Sequence, residues 1–204
     1  DALFAKGKAI DLCSYLENLP MVLAASERVG GAFKQYCAEL GYALAVHQRF
    51  FDEQDAFYKG EEPDVQVAAQ RRLIDRHGPA FFRFFDDQLR RLEALIAGLP
   101  REDYERHGTF FRALLWEFIT RSEFLKRTNL KPRGYAGDAQ MMAMVYELGH
   151  RGPRVFDQLL HHHPLTTAAA QAVRNRRKLI AAELAPPGDG RLRRFFSVAC
   201  GPAT

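Results

Sequence analysis

The stretch TNLKPRGYAGDAQMM, residues 128–142, sets Lys131, Arg133, Tyr135 and Asp138 among Pro132, Gly134 and Gly137. A plain helix–helix connection needs only about two to eight residues of turn chemistry. A basic pair and a tyrosine on a glycine-hinged loop are more than a turn requires. Loops held by rigid helices are also where binding residues concentrate. Asp138 reads most simply as the N-cap of the following helix, its side-chain oxygen accepting backbone N–H groups.

Two further stretches carry residue types suited to ligands. In QAVRNRRKLIAAEL, residues 171–184, Ala172, Val173, Arg176, Ile180 and Leu184 fall on one helical face. Arg176 is therefore expected to point inward, where a guanidinium needs a carboxylate or phosphate partner. Arg174, Arg177 and Lys178 are expected on the solvated side. In SVACGPA, residues 197–203, small residues occupy every second position: Ser197, Ala199, Gly201 and Ala203. Such a turn lets backbone N–H groups approach a ligand closely. In α/β folds the end of the first strand is where nucleotide-like cofactors bind, although a bare strand and tight turn is the plainer reading. The run HHHP at 161–164 is not expected to bind a metal, since adjacent side chains on a helix end diverge. Met141, Met142 and Met144 read as core filler.

The elements that must position these residues are nearly all helical. From about Glu27 to Lys59, Phe33, Tyr36, Cys37, Leu40, Leu44 and His47 share a face, with Gly30, Gly31 and Gly41 as weak points. Phe81, Phe84, Phe85, Leu89, Leu92, Leu95 and Ile96 form a stripe from Pro79 to Gly98. Phe110, Phe111, Leu114, Leu115, Phe118 and Ile119 continue the pattern to about Leu125. Gly78–Pro79, Leu99–Pro100 and KPRG at 131–134 are the expected turn or start signals. A short helix follows from Asp138 with Met141, Met142, Val145 and Leu148 inward, another spans Pro153 to about His161, and a longer one runs from Thr166 or Thr167 to Leu184. PPGDG at 186–190 is a linker, and LRRFFSVA at 192–199 is the one convincing strand. The fold class expected is mainly α, with six to eight helices bundled in residues 1–185. Residues 186–204 are expected to be the linker, first strand and cofactor loop of a truncated α/β domain.

Composition narrows the class. The 204 residues are 47% apolar and 26% charged, ordinary for a globular chain. No apolar run is long enough to cross a bilayer, and DALFAKGKAI is not a signal peptide. Three cysteines without CxxC spacing suggest free thiols and a cytoplasmic setting. The net charge of +4 permits anionic ligands and does not by itself call for nucleic acid.

Taken in order, KPRGYAGDAQMM, VRNRRKLI and FFSVACGPA resemble class I S-adenosylmethionine-dependent methyltransferases, in the subgroup described as 3-hydroxypalmitic acid methyl ester biosynthesis proteins. The resemblance covers roughly residues 80–204. It implies a helical N-terminal substrate-binding or lid domain joined to a Rossmann-like methyltransferase domain. Ser197 stands where the cofactor loop usually has an acidic residue, and Ala199, Gly201 and Ala203 stand where it usually has glycines. The cofactor implied is S-adenosyl-L-methionine, contacted by Tyr135, Gly137, Asp138, Ser197, Ala199, Cys200 and Gly201. Arg133, Tyr135, Arg174 and Asn175 are implied on the acceptor side, where an arginine would meet a carboxylate and Tyr135 would cover the ligand. The acceptor implied is a 3-hydroxy fatty acid or similar small acid, methylated at its carboxylate to a signalling ester of the quorum-sensing kind.

An ionised carboxylate needs no general base, so no catalytic residue is assigned. The phenylalanine-rich helices could line a channel for an acyl tail, although plain core is the simpler reading. Another acceptor, such as a natural product or a protein side chain, stays open. So does a non-catalytic ligand-sensing or dimerisation module, and so does a homodimer. No nucleic acid, metal or membrane-inserted segment is expected. With at most one strand of a cofactor-binding sheet, these 204 residues alone are expected to transfer no methyl group. Calorimetric titration should then show no micromolar binding of S-adenosylmethionine.

Overall fold

A computed structural model describes residues 12–134 and 137–184. Those residues form eight helices, and among them there is no strand. The expected linker, strand and cofactor loop at 186–204 lie outside the described residues, as does Tyr135. The chain divides into two compact units, one of residues 1–120 with Arg154–Phe156, the other of Arg121–Pro153 with residues 157–204. No described helix is long and apolar enough to cross a membrane.

In the first unit the helices are α1 (Leu12–Glu27), α2 (Gly31–Ala56), α3 (Pro63–Ile96) and α4 (Arg101–Arg121), the last ending at the unit's edge. The α2 stripe is as periodic as its sequence: Phe33, Tyr36, Cys37, Leu40, Leu44 and Phe51 are buried, and His47 is half-buried. Gly41 sits inside this helix because α4 comes close. A Cβ there would stand 3.3 Å from Leu115 Cδ2. His107 of α4 fixes the start of α2, its Nε2 accepting the Gly30 N–H at 3.3 Å. Tyr36 donates its hydroxyl to the Gln88 carbonyl at 2.9 Å, so the buried phenol has its partner. Burial pushes the Cys37 thiol up to about 11, leaving a free but inert cysteine.

Gly78–Pro79 is not a boundary. The helix α3 runs through it for 34 residues. A proline inside a helix removes one backbone bond and crowds the preceding turn, at about 3 kcal/mol. Burial on both sides offsets this: Ala69, Ile74, Gly78 and Phe81 all face the core. The Phe81 ring lies 5.7 Å from Phe85, 6.2 Å from Phe51 and 6.0 Å from Phe156, centroid to centroid. Around Phe81 these rings form a packed aromatic core. Of the expected α3 stripe, Leu89 instead faces solvent, 41% exposed.

The second unit is built from shorter pieces: α5 (Glu123–Leu130), α6 (Ala139–Glu147), α7 (Val155–Thr166, from Asp157 onward) and α8 (Ala168–Leu184). The helix expected to reach Leu125 stops at Arg121, because Ser122 is buried as an N-cap and its hydroxyl accepts the Leu125 N–H at 3.1 Å. In α6 the buried pair is Met144 and Val145. Leu148 leaves the expected stripe because it ends the helix in the left-handed region, at φ 50°. The helix α7 passes His161, where an end was expected, and continues across Pro164. Before it, Gly152 is irreplaceable: φ is 137°, and a Cβ there would lie 2.7 Å from Asp157 Cβ. Val145, Leu165 and Ala170 form the small core of this unit, with Phe124, Met141 and Val173 against it.

Two substitutions separate these modes of stabilisation. Leu115→Ala should lower unfolding free energy by about 2–5 kcal/mol, since the site is closed on all sides. Ser122→Ala should cost about 1 kcal/mol through loss of a cap. Urea unfolding followed by circular dichroism checks both.

Candidate functional site

The α5–α6 connection is the polar loop singled out above, and both of its ends are tied. Arg127, in the last turn of α5, sends its guanidinium to Asp138. Nε meets Oδ1 at 2.7 Å, and Nη2 meets Oδ2. The same Oδ1 accepts the Met141 N–H at 2.9 Å, so Asp138 is the expected N-cap of α6. At the other end Lys131 terminates α5 in the left-handed region, and its N–H returns to the Arg127 carbonyl at 2.9 Å. A tight turn follows, in which the Gly134 N–H meets the Lys131 carbonyl at 2.8 Å and Gly134 takes φ 84°.

The carboxylate of Asp138 is 1% exposed, and the Arg127 side chain 19%. Hydrogen bonding from Arg127 is the main reason the acid is held down at about 2. Burial opposes that, while the Met141 N–H and the charges of Arg127 and Arg133 assist. These contacts make Asp138 the anchor of the loop at the start of α6. Arg133 and Gly137 are exposed. A Cβ on Gly137 would come into ordinary van der Waals contact with Met141 Cε, at 3.7 Å, among the described residues.

Arg174 and Asn175 lie elsewhere. The Arg174 Nη1 donates to the carbonyls of Leu165 at 2.7 Å and Val145 at 3.2 Å, and Nη2 donates to Gln171 Oε1 at 2.9 Å. Those carbonyls belong to the last turns of α7 and α6, whose terminal C=O groups lack helical partners. A cation there also meets the negative ends of two helix dipoles. Val145 is about 10 Å along α6 from Asp138, at 1.5 Å per residue, so the loop and Arg174 work at opposite ends of that helix. Asn175 is exposed and accepts a hydrogen bond from Gln171 at 2.8 Å. The inward arginine is thus Arg174, and Arg176 is exposed. The expected face joins Ala172, Val173 and Arg176 to Ile180 and Leu184, and those last two are 52% and 45% exposed. Only Ala170 and Val173 of α8 reach the core.

Arg127 and His161 were not singled out from the sequence. A basic residue in the turn before a glycine loop that ends in aspartate is a usable signal for the first. His161 had none, because the histidine run looked uniform. It is fully buried, and its Nδ1 faces the Phe124 N–H at 3.4 Å, so it serves the start of α5 as an acceptor. Among the described residues its Nε2 has no hydrogen-bond partner. Burial, ahead of the nearby charges, holds the ring down at about 4, neutral at physiological pH. Tyr135, Ser197, Ala199, Cys200 and Gly201, the remaining implied cofactor contacts, lie outside the described residues. No family model, curated protein or solved structure matches the chain.

Acid should undo this unit in two stages. The folded state keeps His161 neutral below its ordinary pKa of 6.5, so that stabilisation is complete above 6.5 and is lost as pH falls towards about 4. Asp138 is depressed from 3.8 to about 2, so its share is intact above 3.8 and is lost on falling through about 2. Urea midpoints measured against pH should therefore fall across both windows. His161→Gln should flatten the upper window, leaving the part due to His162, which burial also holds low. Asp138→Asn should flatten the lower one, leaving the part due to Glu39, whose carboxyl the Arg91 hydrogen bond also holds low.

Proposed function

We propose that the chain is the helical N-terminal part of an S-adenosylmethionine-dependent methyltransferase that esterifies the carboxylate of a 3-hydroxy fatty acid or similar small acid. The observation that carries this reading is the tethered loop at 131–138. Its two ends are held by the Arg127–Asp138 pair, and Arg133 is left facing solvent on a short glycine-hinged segment. The order of the GYAGD loop, the RNR helix and the small-residue turn at 197–203 supports it from the sequence.

When bound, the cofactor supplies a methyl group already activated on sulfur. What this chain contributes is orientation and exclusion of water. Arg133 anchors the acceptor carboxylate, Gly137 leaves room for close approach, and Tyr135 covers the ligand. Asp138 is a positioning residue, anchoring the loop at the start of α6. Arg174 keeps α6, α7 and α8 together through the Val145 and Leu165 carbonyls, which makes it the structural arginine of this reading and Arg133 the acceptor-binding one. The exposed apolar side chains of α2 favour a second reading, a non-catalytic ligand-sensing or dimerisation module.

The test is methyl transfer from labelled S-adenosylmethionine to 3-hydroxy fatty acids by the full product of the gene. Arg133→Ala should weaken acceptor binding about tenfold to a hundredfold, as expected for a lost charge-assisted contact, with thermal stability unchanged. Arg174→Ala should do the reverse, lowering stability by about 1–3 kcal/mol and leaving the acceptor KM near wild type. Methyl transfer to other acceptors only would replace the fatty acid. Acid binding without any transfer would select the sensing module.

A further inference from the structure

The outer face of α2 is apolar and uncovered among the described residues. Tyr42 and Phe57 are each 75% exposed, Phe50 is 40% and Val46 is 39% exposed. Ala45 and Ala56 lie between them at helical spacing and are exposed too. The ridge from Tyr42 to Phe57 is about 22 Å long at 1.5 Å per residue. A surface helix ordinarily keeps its apolar stripe for the core and turns charge to water. This helix has a buried stripe, from Phe33 to Phe51, and a second one facing out.

Two charges sit in the middle of the ridge, Arg49 and Glu53, one turn apart and both exposed. Arg-before-Glu is the weaker order for a pair within one helix. The ion pairs of the described residues leave both out, since Arg91 takes Glu39 and Arg154 takes Asp52. Beside them lies a shallow depression of about 480 Å³, lined by Ala45, Gln48, Arg49, Asp52, Glu53 and Ala56.

We propose that this face of α2 binds the same face of a second copy of the chain, the two helices crossing antiparallel about a two-fold axis near residue 51. An isologous contact must be complementary to itself, and this ridge is. The two-fold sets Arg49 against the partner's Glu53, and Glu53 against the partner's Arg49. It also sets Phe57 against the partner's Ala45, where the depression can take the ring. A neutral ridge with one charge of each sign suits neither an anionic membrane nor nucleic acid, which would need a basic face. Burying two aromatic side chains of about 150–250 Å² each, with Val46 and Phe50, supplies much of the roughly 800 Å² per partner that a stable complex buries.

Sedimentation velocity of the 204-residue chain over a concentration series tests this. A reversible dimer is expected. Arg49→Glu and Glu53→Arg should each weaken it about tenfold or more, because each makes two like-charge contacts. The double variant R49E/E53R should return the dissociation constant to near wild type. Both positions are solvent-facing, so helical circular dichroism should be unchanged in all three variants. A chain that stays monomeric up to roughly 0.1 mM, a weak limit for a specific contact, overturns the proposal. So does a dimer that ignores the single reversals, or one that the double reversal fails to restore.

Discussion

The buried pair between Arg127 and Asp138 is the contact on which the second unit depends. Three of its four helices are only 8 to 12 residues long, and α5 has no fully buried residue of its own. Each helix end leaves about four backbone groups without a helical partner, so in a helix of eight residues nearly every peptide group belongs to one end or the other. Isolated helices of that length are marginal in water. What keeps them is end chemistry. Ser122 and His161 serve the start of α5, and Arg127–Asp138 joins its end to the start of α6. Arg174 takes up the ends of α6 and α7, and Arg151 bridges Glu123 and Glu147. In each case the charge is of the sign that the helix dipole favours or is matched by a partner.

The first unit is held by the opposite means. Its helices are 16 to 34 residues long, so their ends are a small fraction of the chain. Apolar burial along stripes dominates instead. The aromatic cluster around Phe81 is extensive enough that α3 keeps its course through Gly78–Pro79. Tertiary packing overrules a local signal there, as it commonly does where propensity and burial disagree.

That contrast explains what could be read from the sequence. The α2 stripe was legible because burial on a long helix imposes a strict period, and every named position from Phe33 to Leu44 is buried. The Asp138 cap was legible because capping is local, acting over three residues. Arg127 was not, since its partner lies eleven positions away across a loop and no period links them. In α8 the inward arginine is Arg174 rather than the expected Arg176, for a related reason. Ile180 and Leu184 look like core residues, but the helix has outrun the core by then, and a face counted from them is turned away from Arg174. Tyr42 and Phe57 lay outside any stripe that was drawn, because a second apolar face looks like noise beside a stronger first one.

The Arg127–Asp138 pair also sets how far the loop can be adapted. Desolvating two charges is costly, and their attraction with good geometry roughly repays that cost, so a buried pair adds little net stability. Removing either partner is different, since it strands the other charge. The pair therefore acts as a constraint on geometry: it ties the last turn of α5 to the start of α6. A loop held in this way gives up less conformational entropy on meeting a ligand than a free one would. The basic side chain at its tip can then change without disturbing the helices, whereas Arg127 and Asp138 can only change together.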